Sequence, residues 1–264
     1  MNTYRDRITS AFADYTASYD ASNPKIKLKI DHTYRVASLC EDIAHSLGLS
    51  DDDTDTAWTC GMLHDIGRFE QVKRWGTFFD SISVDHAQFG ADLLFKEGLY
   101  EKIVPHDDDL KYSERKALVE KAIRLHNVFT LPENLDDRVK MFSQILRDAD
   151  KIDILRANCD TPTEDVYSVT TQELKNACVS DDVKKAFREH RCARRREGMT
   201  PVDHLVGHVC FTFELVYRRS VELMFSQGYL FKLMEFKSDI PDTNEWFTYM
   251  RQEMLKAAAQ FLRC

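Results

Sequence analysis

The tightest constraint in this chain is an apolar, helix-like run that ends in a His-Asp pair and is then stopped by Gly67: Trp58-Thr59-Cys60-Gly61-Met62-Leu63-His64-Asp65-Ile66-Gly67-Arg68-Phe69-Glu70. A carboxylate in apolar surroundings is costly unless it has a strong partner. A metal ion would be such a partner. The question for the rest of the chain is whether it supplies further ligands at sensible places.

Punctuation is sparse, with 9 Gly and 6 Pro in 264 residues. Long helical patterns with few turn signals predict an all-α protein, and no alternating strand pattern of useful length occurs. The patterns predict helices over 3–18, about 30–47, 51–65, 84–97, 113–128 and 136–155. Asn23-Pro24 and Gly48 mark breaks, and Ser50 caps the acidic turn Asp51-Asp52-Asp53. Residues 68–82 read as a loop carrying Arg68, Lys73, Arg74 and Trp75, and 105–112 as a polar linker. Further on, Thr161-Pro162-Thr163-Glu164 and Thr200-Pro201-Val202-Asp203 are start signals. Short helices at about 163–177 and 181–192 follow the first signal, a long one over 201–226 follows the second, and a last helix runs over about 244–262.

Four of the nine His fall on buried helical faces: His32, His64, His86 and His126. Asp65 and Asp150 do the same, Asp150 on the line through Phe142, Leu146 and Ile154. A lone buried His is usually an ordinary core residue. Six such groups on successive helices are satisfied together by a shared metal centre. Imidazole with carboxylate suits a divalent transition metal ion such as Fe, Mn, Co, Ni or Zn, without choosing between them.

The formal net charge of −8 argues against a nucleic-acid duplex as partner. The basic stretch Arg188 to Arg196 reads as a solvated helix end. Seven Cys, an odd number with no CxxC, read as reduced thiols of a cytoplasmic protein. The N-terminus Met1 to Arg7 has no apolar signal core behind it, and no run is apolar enough to span a membrane.

His32, then His64-Asp65, then Asp150 resemble the H…HD…D signature of the HD superfamily of metal-dependent phosphohydrolases. The local contexts are Asp31-His32-Thr33-Tyr34-Arg35-Val36, Leu63-His64-Asp65-Ile66-Gly67-Arg68 and Arg147-Asp148-Ala149-Asp150-Lys151-Ile152-Asp153. The resemblance covers about residues 28–156. It implies an HD-domain-like helical bundle in which the first His, the pair and the last Asp bind metal. In the family's D-x-D-K form the Asp before Lys is the ligand, which selects Asp150 over Asp148. His86 and His126 resemble the extra pair of two-metal members, which include cyclic-nucleotide phosphodiesterases and a small di-iron oxygenase branch. The implied centre holds one or two metals, with Asp65 bridging.

On that reading the whole chain, 1–264, is a single HD-type domain. The ligand-bearing core covers about 28–156 and a helical extension about 160–264. The implied substrate is a small phosphate ester, a nucleotide among the possibilities. Lys151, Arg68 and Lys73 are its candidate cationic contacts, and Asp65, Asp148 and Lys151 the candidate catalytic groups. A di-iron oxygenase with the same ligands, and a regulatory module with a structural metal, are the competing expectations. Substrate, metal count and oligomeric state stay open.

Overall fold

The computed structural model describes residues 3–106, 109–167 and 169–261, and every regular element among them is helical. The chain divides into two compact units, Met1–Asp150 and Lys151–Cys264.

The first unit opens with α1 (Tyr4–Thr16), capped by a reciprocal box in which Thr3 and Asp6 each accept from the other's backbone N–H. Its buried face is Ile8, Phe12 and Thr16. Phe12 is fully buried, with its ring edge-on to Tyr34 and Phe69. Burial of that size stabilises by roughly 1.5–3 kcal/mol.

Helix α2 (Pro24–Ser46) begins earlier than the pattern from residue 30 suggests. Asn23-Pro24 starts it instead of merely breaking the one before. Asn23 accepts from Lys25 N, and Pro at the first turn has no orphan N–H to satisfy. Helix α3 (Asp51–Leu63) follows its Ser50 cap and lies against α2. Gly61 permits that approach, since a Cβ there would stand 2.6 Å from the Ala37 Cα.

The helix does end at the His-Asp pair, but the loop expected over 68–82 is α-helical as far as Trp75. A new helix, α4 (Ile66–Trp75), starts one residue past Asp65 and runs through Gly67 to Gly76, which takes the left-handed conformation at the C-cap. Gly67 serves packing, not termination. A Cβ there would stand 2.6 Å from the His86 carbonyl oxygen and 2.7 Å from Gly90 N. Those atoms belong to α5 (His86–Phe95), capped by Asp85. Next come α6 (Leu99–Ile103) and α7 (Asp109–Leu125), the latter claiming part of the expected polar linker. Helix α8 (Asp137–Asp160) carries the chain from the first unit into the second.

The second unit continues with α9 (Thr163–Tyr167), α10 (Thr171–Lys175), α11 (Asp181–Arg188) and α12 (Pro201–Val209). It closes with α13 (Arg218–Ser226), α14 (Tyr229–Leu233) and α15 (Pro241–Phe261). The helix expected over 201–226 is broken. Cys210–Glu214 tightens into a 3₁₀ turn, and Leu215 and Tyr217 are extended. The run Cys210-Phe211-Thr212-Phe213 is rich in aromatic and β-branched side chains, which lose rotamer freedom in an α-helix. Phe187, Val206, Phe247 and Met250 are buried in this unit.

No disulfide links Cys40, Cys60, Cys159, Cys178, Cys192 or Cys210; Cys264 and the first two residues lie outside the described residues. No helix among the described residues is long and apolar enough to cross a membrane.

Candidate metal centre

Local structure aims three imidazoles. His64 sits in the tight turn between α3 and α4, and its Nδ1 donates to the Gly61 carbonyl at 2.8 Å. His126 lies just past the end of α7, where its Nδ1 donates to the Ile123 carbonyl at 2.7 Å. His86 opens α5, and its Nδ1 donates to Asp80 Oδ2 at 2.5 Å. A carbonyl or carboxylate can only accept, so each Nδ1 carries the proton. Each Nε2 is then left with its lone pair, as metal ligation by imidazole requires.

His32 is on the buried face of α2, and all four His and Asp65 are almost wholly buried. Around Asp65 they form two groups, each able to hold a metal ion: His32, His64 and Asp65, and Asp65, His86 and His126. The two carboxylate oxygens divide between them. Oδ2 lies 3.4 Å from His64 Nε2 and 3.6 Å from His32 Nε2. Oδ1 lies 3.5 Å from His86 Nε2 and 3.9 Å from His126 Nε2. Asp150 joins the first group, its Oδ1 3.1 Å from His32 Nε2 and 3.8 Å from His64 Nε2.

Two features fit a bound cation. His64 Nε2 is buried and meets no hydrogen-bond partner among the described residues. His86 Nε2 and His126 Nε2 face each other at 3.0 Å, although both are lone-pair nitrogens by the proton placement above. Two acceptors at that distance need something positive between them. A proton is a poor candidate. Burial and the neighbouring His86 and His64 push His126 down to about 3, and burial with Arg68 nearby lowers His86. Burial raises the Asp65 carboxyl, but Lys29, His64 and Arg68 together outweigh it and hold it well below the usual range. Asp150 is likewise held low against burial, by His32 and His64.

A family model described as HD domain matches residues 30–212. The chain belongs to the HD domain family. This is a family mostly of metal-dependent phosphohydrolases, and the His/Asp groups of this HD domain could hold a metal ion. No curated protein and no solved structure gives a match.

The remaining candidates of this HD domain are placed differently from one another. Arg68 is close to the centre but heavily engaged. Its Nη1 donates to Gln71 Oε1 (2.7 Å), the Phe78 carbonyl (2.8 Å) and Asp80 Oδ1 (2.8 Å), and its Nε lies 3.6 Å from Asp65 Oδ1. Lys73 is on the exposed side of α4, paired with Glu70 at 3.2 Å and over the Tyr19 ring. Asp148 is buried and accepts from Gln144 at 2.9 Å. A helix turns about 200° over two residues, so Asp148 does not share the face of Asp150. Lys151, in the second unit, is bound to Glu214 at 2.7 Å.

Three residues of the site went unread in the sequence. Lys29 Nζ lies 2.5 Å from Asp65 Oδ2; its position one turn before His32 was the available signal. Asp80 orients His86 and is itself held by Arg68 and by Gln71 Nε2 at 3.0 Å. Against burial, His86 and Arg68 keep the Asp80 carboxyl low. Arg147 donates to the carbonyls of Leu125 (3.2 Å), His126 (3.2 Å), Val128 and Phe129 (3.3 Å), and so fixes the turn that carries His126. Neither Asp80 nor Arg147 has a periodic signature.

Proposed function

We propose that this chain is a metal-dependent phosphohydrolase that cleaves a small phosphate ester, such as a nucleotide, with an activated water as nucleophile. The division of the Asp65 oxygens between two imidazole groups carries the reading. It suits His32, His64, Asp65 and Asp150 as ligands of one ion, and Asp65, His86 and His126 as ligands of a second.

Bound divalent ions would lower the pKa of water and polarise a phosphoryl oxygen. The chain's own residues set the conditions for this. Asp65 and Asp150 stay ionised, so they serve as ligands and not as acids. The three fixed Nδ1 protons keep the Nε2 lone pairs aimed inward without reorganisation during turnover. Low exposure of the four His keeps bulk water out and strengthens every charge interaction in the site. Arg68 acts as a positioning residue, since it joins Asp65 to Asp80. A cationic neighbourhood beside the carboxylate suits a phosphoryl group.

The test is to purify the protein, measure its metals, and follow phosphate release from nucleotides and general phosphate esters with Mn added. Release that disappears in Asp65→Ala and His64→Ala supports the reading. Oxygen uptake by an iron-loaded form that releases no phosphate would overturn it in favour of an oxygenase. His126→Ala should lower metal stoichiometry by about one ion of two; an unchanged content would remove the second site.

A further inference from the structure

We propose that Lys29 is the substrate-binding cation of this centre, donating to an oxygen of a phosphoryl group seated beside Asp65. The proposal rests on the phosphohydrolase reading above and adds to it the residue that holds the anion.

Lys29 stands three residues before His32 on α2, so the two side chains leave the helix on neighbouring faces. Its Nζ is 2.5 Å from Asp65 Oδ2, and the side chain is 15% exposed, while that of Asp65 is 3% exposed. The ammonium therefore lies at the edge of the centre, between the buried carboxylate and solvent. Phe78 holds it there: Lys29 Nζ lies 5.4 Å from the ring centroid, and the Arg68 guanidinium lies 5.5 Å from the same centroid.

Position separates Lys29 from the other lysines, and Arg68 is committed to holding Asp80 and Asp65 in place. An ammonium has three donors. Asp65 takes one. Arg68 spends its Nη1 on Gln71, Phe78 and Asp80. Lys73 and Lys151 keep donors too, but they pair with Glu70 and Glu214 and not with Asp65. Lys29 thus combines a position at Asp65 with donors to spare.

Charge points the same way. Once a divalent cation shares Asp65, the carboxylate's charge is already answered, and the ammonium is surplus to it. One or two divalent ions with Lys29 and Arg68 outweigh the carboxylates of Asp65, Asp80 and Asp150. A dianionic phosphoryl group brings the sum to within one charge of zero, and a charge-assisted bond from an ammonium is among the stronger contacts it can make.

The experiment measures orthophosphate binding by calorimetry to the Mn-loaded protein, with Mn content determined in parallel, for wild type, Lys29→Met and Lys29→Arg. The expected result is unchanged Mn content, phosphate affinity about 10- to 100-fold weaker in Lys29→Met, and partial recovery in Lys29→Arg. Unchanged affinity in Lys29→Met would overturn the proposal, as would a wild type that binds no phosphate. Loss of Mn in step with affinity would also overturn it, because Lys29 would then act only by holding Asp65. The two readings fail separately. Lys29-dependent phosphate binding without ester hydrolysis supports the anion site and sinks the hydrolase. Hydrolysis with KM and phosphate affinity unchanged in Lys29→Met spares the hydrolase and removes the role of Lys29.

Discussion

Asp80 Oδ2 lies 2.5 Å from His86 Nδ1, on the side of the ring opposite the nitrogen that faces Asp65 and His126. The carboxylate fixes the His86 tautomer and ring angle, while Arg68 and Gln71 fix the carboxylate. Asp80→Asn keeps the shape but loses the charge that would make His86 a better ligand on the proposed reading. It should weaken metal binding at the group of Asp65, His86 and His126 about 10- to 100-fold and leave binding at the group of His32, His64 and Asp65 nearly unchanged. Competitive metal titration of wild type and variant measures both. Equal weakening at the two sites would show that Asp80 does not act through His86.

Arg147 offers a second handle on the same half of the centre. Arg147→Met removes the donor from four carbonyls at the end of α7. The expected loss is about 2–4 kcal/mol of stability, read as a lower urea midpoint with the same slope. Metal affinity should fall mainly at the group containing His126. Arg147→Lys keeps the charge without the fork and should recover only part of each loss.

Gly67→Ala tests the junction that carries the His-Asp pair. The new methyl would meet backbone on both sides, the His86 carbonyl and Gly90, and neither can turn away as a side chain could. A destabilisation of about 1–3 kcal/mol follows, with weaker metal binding at the group containing His86. Gly207→Ala in α12 is the control. Nothing lies within 4 Å of its added Cβ, and removing a helical Gly should stabilise by about 0.5–1 kcal/mol. Thermal or urea unfolding of both variants decides the matter.

The buried imidazoles set a pH dependence for protein stripped of metal. His126 is held at about 3 in the fold against an ordinary 6.5, and His86 is also lowered. The unfolded chain therefore takes up protons below pH 6.5 that the folded chain refuses. Stability is complete above that point and declines as pH falls towards 3, by at most about 1.4 kcal/mol per pH unit for each His. Asp65, Asp80 and Asp150 are held below 3.8 and act in the same direction. Their stabilisation is present above 3.8 and lost as pH drops further. Urea midpoints at constant ionic strength should be level from pH 8 to about 7 and fall steadily below 6.5. Equal stability at pH 7.5 and pH 5 would contradict neutral, buried imidazoles.

Much of this was legible in the sequence, because helical periodicity and capping are local. Residue spacing alone puts His32 among Val36, Leu39 and Cys40, and Asp150 on the line of Phe142 and Leu146. Asn23, Ser50 and Thr200 lie next to the N–H groups they cap. What periodicity could not give is where one helix stops and another resumes at a constant apolar pattern. Hence α4 looked like a loop, and α12 and α13 looked like one helix.

The sequence by itself determined an all-α chain with four His and Asp65 on buried faces and Asp150 half-buried beside them, together with the order H…HD…D. Only the tertiary structure decided which atoms meet. Lys29 reaches Asp65 across 36 residues, and His86 reaches His126 across 40. Whether the two Asp65 oxygens face one group or two depends on the angle at which α3 gives way to α4, and on how closely Gly67 lets α5 approach. Those are properties of packed backbones, and no single segment encodes them.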